Sequence, residues 1–161
     1  MATLLNTRRL LLIGALATLL FAVPALADSV FECNLTEDQV APASGSTAFG
    51  HAVLVLNNAE TEIAYTLNFA GLDAAQTGAA FFIGAPGTNG TEVMSLPVGN
   101  PQSGMWAVTP EIADALMADE LYIVVFSDSE MFPNGEIRGN FTLTIVSDEE
   151  TSLGQVKALF R

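Results

Sequence analysis

The residues with the most chemical potential fall between Asp128 and Gly139. Asp128, Glu130, Asn134 and Glu136 place carboxylates and a side-chain carbonyl at loop spacing. Ca²⁺ takes roughly six to eight oxygens of this kind, so these four are the candidate cation ligands and Ca²⁺ the one candidate cofactor. The spacing and the position of the glycine are not those of an EF-hand. A solvated acidic loop is the competing reading. Arg138 is the second focus. It is the only arginine between the N-terminal segment and the C-terminal tail. A planar guanidinium grips carboxylates through paired N–H donors. Two roles are open to it. It can pair with Glu136 or with a carboxylate of a neighbouring strand or loop and so pin the register. Alternatively it can receive a ligand carboxylate or sulfate.

The other reactive side chains are sparse. His51 is the only histidine and Cys33 the only cysteine. Zinc and copper centres need several such donors, so no transition-metal site is expected. An intrachain disulfide is impossible, and Cys33 reads as a buried small apolar residue. A Ser-His-Asp hydrolase would need a nucleophile elbow, and none is present. Nothing pairs two particular carboxylates in the manner of a glycosidase. The loop Gly84 to Gly90 lacks the lysine and the following helix of a phosphate cradle. No enzyme chemistry is therefore assigned.

These residues must be held by strands. Pro133-Asn134-Gly135 reads as a tight turn. After it, Ile137, Phe141, Leu143 and Ile145 alternate with Glu136, Arg138, Asn140, Thr142 and Thr144, the period of a strand with one apolar face. On that period Glu136 and Arg138 share a face. Gly139 interrupts the apolar row and marks a bulge or a close backbone approach. Upstream, strands are expected at Val30–Leu35, Thr47–Leu56, Glu62–Phe69, Gly78–Ile83, Thr91–Val98 and Leu121–Phe126, with a short apolar patch at Met105–Val108. In Thr47–Leu56 both faces are apolar, which predicts a strand covered on both sides. In Glu62–Phe69, Ile63, Tyr65, Leu67 and Phe69 point inward. Thr109-Pro110-Glu111 is a helix start with Thr as cap, and Ile112, Ala115 and Leu116 give one short amphipathic helix. The result is an all-β fold, an antiparallel β-sandwich with one short helix before the penultimate strand.

Residues 1–27 have the grammar of a signal peptide. Arg8 and Arg9 precede an apolar run from Leu10 to Val23, and Ala25-Leu26-Ala27 is a small-x-small cleavage site. Cleavage near Ala27 would export residues 28–161 to the periplasm or the cell exterior, not embedded in a membrane. The domain proper is expected at 28–147 and a C-terminal tail at 148–161. Removing Arg8 and Arg9 leaves three basic residues against 18 acidic ones, a net charge of −15 for the mature protein. Phosphate backbones require clustered Lys and Arg, so nucleic acid is excluded as a partner.

Several stretches together resemble a known family. They are Leu35–Pro42, Gly50–Leu56, Tyr65–Leu72, the glycine-rich loop Gly84–Gly90, Thr109–Leu121 and, most specifically, Gly135-Glu136-Ile137-Arg138-Gly139. In this order, over about Val30 to Thr144, they are similar to the CHRD domain, first described in chordin and widespread in bacterial secreted proteins. The resemblance implies a non-catalytic binding or structural module, with an extracellular protein or matrix component as partner. The sandwich would be Greek-key, of immunoglobulin- or superoxide-dismutase-like form. A Ca²⁺-dependent adhesion protein is the first alternative, and a metal-handling protein similar to superoxide dismutase the second. Family members often carry a His-x-His before the glycine-rich loop and another His on a later strand. Ala80, Phe82 and Phe126 stand at those positions, which argues against the second alternative.

Overall fold

The computed structural model describes residues 28–144. The targeting segment 1–27, Ile145 and the tail 148–161 lie outside the described residues. Among the described residues nine strands and one helix follow in the order β1 (Ser29–Leu35), β2 (Phe49–Leu56), β3 (Glu62–Ala70), β4 (Gln76–Ile83), β5 (Thr91–Leu96), β6 (Gln102–Ala107), α1 (Pro110–Met117), β7 (Leu121–Ser127), β8 (Ile137–Asn140) and β9 (Thr142–Leu143). They form two antiparallel sheets, β6-β3-β2-β1-β9 and β5-β4-β7-β8. The chain is an all-β sandwich. β9 returns beside β1 after β1-β2-β3 have run as a meander, the spatial order of a Greek key.

The inward face of each strand follows from period two. Phe31, Leu54, Ile63 and Leu67 of the five-stranded sheet meet Phe81, Ile123, Val125 and Ile137 of the four-stranded sheet, all buried. Phe81 sits at the centre. It stacks on Trp106 at 5.3 Å and meets the edge of Tyr65 at 5.7 Å. Helix α1 carries the chain from the edge strand β6 to β7 and buries Ala113, Ala115 and Leu116. Pro110 opens it and Glu111 lies in its first turn, as the sequence indicates, but the Thr109 side chain makes no capping hydrogen bond.

Three local expectations are corrected. The outer face of β2 is not covered: His51 is exposed, Val53 and Val55 are half-buried, and Phe49 is 63% exposed. Its apolar content comes from valines that suit a pleated sheet without needing a second layer. The apolar patch at Met105 belongs to a full edge strand, β6, whose polar residues Gln102 and Ser103 pair with Leu67 and Thr66. The strand expected from Glu136 to Ile145 is two strands in different sheets. β8 pairs with β7, and β9 pairs with β1. Between them Phe141 is buried completely, and its N–H donates to Leu121 O at 3.1 Å. The chain thus turns from one sheet to the other around an aromatic anchor. Leu143, on the far side of that switch, is about half exposed.

This switch closes one corner of the sandwich. Thr36 and Arg138 exchange backbone hydrogen bonds of 2.9 and 3.1 Å across it. Gly139 makes the approach possible. A Cβ there would fall 2.7 Å from Cys33 Sγ and 2.9 Å from Asn34 O. Both distances are inside van der Waals contact.

Candidate functional site

The turn Pro133-Asn134-Gly135 delivers the chain into β8. Gly135 takes φ +103°, where a side chain would run into Val124. Glu136 lies in the bend ahead of the strand, so the period-two face it was expected to share with Arg138 does not extend to it. Its carboxylate is fully buried, with Oε1 accepting from the Ser46 hydroxyl at 2.7 Å and from the Asp73 N–H at 2.6 Å. Its backbone carbonyl accepts from Ser44 Oγ at 2.7 Å. Glu136 therefore ties the β1–β2 and β3–β4 loops to the start of β8. Its Oε2 is buried with no partner among the described residues.

Arg138 is almost completely buried, and its guanidinium meets no carboxylate among the described residues. The expected pairing with Glu136 is replaced by neutral partners. Nε donates to Asn140 Oδ1 at 3.1 Å, Nη1 to Thr88 O at 2.6 Å and Nη2 to Ala85 O at 3.4 Å. The guanidinium lies 3.5 Å from the centre of the Tyr122 ring, a cation–π stack. Burial pulls the group below its ordinary pKa, with Tyr122 acting in the opposite sense. Arginine stays charged under such conditions. The glycine-rich loop of the sequence is thus the cradle of Arg138: its carbonyls face the cation, and Tyr122 Oη accepts from Gly90 N–H at 2.7 Å.

Arg138 looks into a cavity of about 250 Å³ on the outer face of the four-stranded sheet. Phe82, Tyr122, Val124 and Phe126 form its floor, and Val40 and Ala41 of the β1–β2 loop its roof. Asn89 and Asn134 both donate to Ala41 O, at 3.0 and 3.3 Å, and fasten that roof from two sides. Phe82 stacks on Tyr122 at 5.3 Å and lies 6.2 Å from Phe126. Ala80 pairs with Val124, Phe82 with Tyr122 and Gly78 with Phe126, so Ala80, Phe82 and Phe126 share this outer face. This face is therefore apolar at all three positions.

Of the four candidate cation ligands, Asp128, Glu130 and Asn134 are exposed while Glu136 is enclosed and bonded to Ser46 and Asp73. Among the described residues no three His, Cys, Asp or Glu side chains come together as a metal would require. His51 stands on the other sheet, 3.9 Å from Glu32, with both side chains about half exposed. Cys33 is free and buried. Loss of water pushes its thiol far above the ordinary range, with a hydrogen bond at Ala52 acting in the opposite sense.

A family model for the CHRD domain matches residues 31–141. The chain belongs to the CHRD-domain family. The matched segment runs from Phe31 to Phe141, both fully buried, so it spans the sandwich from its first core strand to the anchor at which the chain changes sheets. No curated protein and no solved structure gives a significant match. Within the described part of this CHRD domain no helix is long and apolar enough to cross a membrane.

The sequence did not reveal Tyr122, Ser46, Asp73 or the carbonyls of Ala85 and Thr88 as partners of the motif. Asn140 was within reach: it lies two residues beyond Arg138, and the pair share a strand face by period two. The others lie in loops and on a neighbouring strand, and only the topology brings them together.

Proposed function

We propose that the mature chain, exported after cleavage near Ala27, is a non-catalytic CHRD-type module that binds a protein or matrix component outside the cytoplasm. The observation that carries this is the use made of the signature. Gly135, Glu136, Ile137, Arg138 and Gly139 are all buried, and their polar groups hold loops rather than line up a nucleophile with a base. What the domain offers to a partner is its surface, and the outer face of the five-stranded sheet is the best candidate. It presents Phe49 and, at 68% exposure, Met105 beside the half-buried Val53 and Val55. The acidic charge suits solubility and repels nucleic acid and anionic membranes.

The test is affinity capture from the host's extracellular fraction with the mature protein, alongside Phe49→Ser/Met105→Ser and, as a control on the helix, Met117→Ser. A partner retained by the wild type and the control but lost with the sheet-face variant is the expected result. Identical capture by all three proteins would remove this face from consideration. Thermal unfolding with EDTA and then Ca²⁺, Mg²⁺, Zn²⁺ or Cu²⁺ runs beside it, since any ligand of the native state raises the midpoint. A flat response is expected. A Ca²⁺-selective rise lost in Asp128→Ala would favour the cation-dependent adhesion reading instead.

A further inference from the structure

In a chain with 18 acidic residues, the cavity on the outer face of the four-stranded sheet is lined by no carboxylate among the described residues. Its one charged group is Arg138, buried and without an anion among those residues. Three N–H groups of the guanidinium are taken by Asn140, Thr88 and Ala85, and the remaining ones have no acceptor among the described residues. Beside the cation lie the stacked Phe82 and Tyr122 and the half-buried Phe126. An apolar pocket with a few convergent polar groups, here Arg138, Asn89 and Asn134, is the usual form of a small-ligand site. An unpaired buried cation defines the sign of its ligand, because a carboxylate placed against it gains charge-assisted hydrogen bonds in a poorly solvated setting.

We propose that this cavity binds a small monocarboxylate with an aromatic body, its carboxylate on Arg138 and its ring against Phe82, Tyr122 and Phe126. The volume of about 250 Å³ admits a single ring with a short acidic arm and excludes larger amphiphiles. The site lies on the opposite sheet from the protein-binding face proposed above and does not depend on it. The roof residue Ala41, fastened by Asn89 and Asn134, closes the site from the loop side.

The experiment is an NMR titration of the isotopically labelled mature protein with phenylacetate, at constant ionic strength, following the Arg138 Nη–H groups and the ring resonances of Tyr122 and Phe126. The neutral isostere 2-phenylacetamide is titrated in parallel. The expected result is a saturable shift of the Arg138 Nη–H groups with a dissociation constant in the millimolar range or tighter, and binding of the amide at least about tenfold weaker. Phe126→Glu, at a half-buried position, places a carboxylate of the chain's own beside the cation and is expected to abolish the response while keeping a dispersed spectrum. Absence of a saturable shift at Arg138 in the wild type overturns the proposal, as does equal affinity for acid and amide. So does undiminished phenylacetate binding by a folded Phe126→Glu protein.

Discussion

Gly139→Ala tests the corner at which the two sheets meet. The backbone of Gly139 is not at positive φ, so alanine meets no conformational barrier there. By itself, glycine-to-alanine at a compatible site stabilises by about 0.4–1 kcal/mol through the unfolded chain. Against this stands the new methyl. It would lie 2.7 Å from Cys33 Sγ, 2.9 Å from Asn34 O and 3.1 Å from Leu35 Cγ. Sγ belongs to a short side chain inside a packed core, and Asn34 O is backbone in a strand paired with β2 on one side and β9 on the other. Neither can swing away. Overpacking of this kind costs about 1–3 kcal/mol, and three simultaneous obstacles put this site at the upper end. Net destabilisation of about 2 kcal/mol follows once the unfolded-state gain is subtracted.

The structure also says how the loss divides. Cys33→Ala removes the nearest obstacle and by itself costs on the order of 1 kcal/mol, as a small deletion in a core. In the double variant the methyl introduced by Gly139→Ala enters the space Sγ vacated, while Asn34 O still stands in its way. The double variant should therefore be more stable than the sum of the single losses by about 1 kcal/mol, without full recovery. Urea unfolding of the four proteins gives the cycle, with equal slopes required for a fair comparison. Single losses that add to within about 0.3 kcal/mol would show that Gly139 and Cys33 do not compete for the same space, and the account of this corner would be wrong.

Glu136→Ala strands the Ser46 hydroxyl and the Asp73 N–H and should cost about 3 kcal/mol by the same assay, whereas Glu130→Ala, at an exposed position, should stay within about 0.5 kcal/mol. Arg138→Met keeps the apolar stem but releases the carbonyls of Ala85 and Thr88; faster amide hydrogen exchange across residues 85–90 is expected, with no change in the 44–46 loop that Glu136 holds. The Cys33 thiol is raised by burial, so the folded protein retains its proton where the unfolded chain has lost it. Its contribution is complete below the ordinary thiol value of about 8.5 and should then fall by about 1.4 kcal/mol for each pH unit above it. The stability difference between wild type and Cys33→Ala measured from pH 7 to 10.5 reads this directly, and a flat difference would contradict the burial argument.

The parts of the fold that were legible in the sequence are those dictated by period two and by punctuation. β3 was readable because Ile63, Tyr65, Leu67 and Phe69 alternate without interruption, and α1 because Thr109-Pro110-Glu111 announces a start whichever atoms then cap it. The apolar outer face of β2 misled because valine satisfies both a covered face and an uncovered pleated surface. The split of the last strand was hidden for a related reason. Phe141 occupies a correct apolar position in an unbroken alternation, and nothing local distinguishes a residue that stays in one sheet from one that hands the chain to the other. Sheet membership is a property of pairing partners: β8 pairs with the preceding strand β7, whereas β9 pairs with β1 at the other end of the domain.

The same distinction explains why Arg138 departs from the first of the two roles open to it. With fifteen surplus negative charges in the mature chain, a mid-strand arginine has many carboxylates to choose from, and Glu136 stands two residues away. Average charge does not govern a buried site, however; the geometry of the nearest donors and acceptors does. The turn at Gly135 places Glu136 in a bend, where the Ser46 and Asp73 donors satisfy its Oε1, and β8 carries Arg138 beneath Tyr122 and the carbonyls of the 85–88 loop. Two opposite charges two residues apart in sequence thereby organise two different sets of loops. Pairing them would have neutralised both and left those loops unanchored. Keeping them apart fixes the β1–β2 and β3–β4 loops with an anion and the β4–β5 loop with a cation, and leaves the cation lining the apolar cavity on the outer face of the four-stranded sheet.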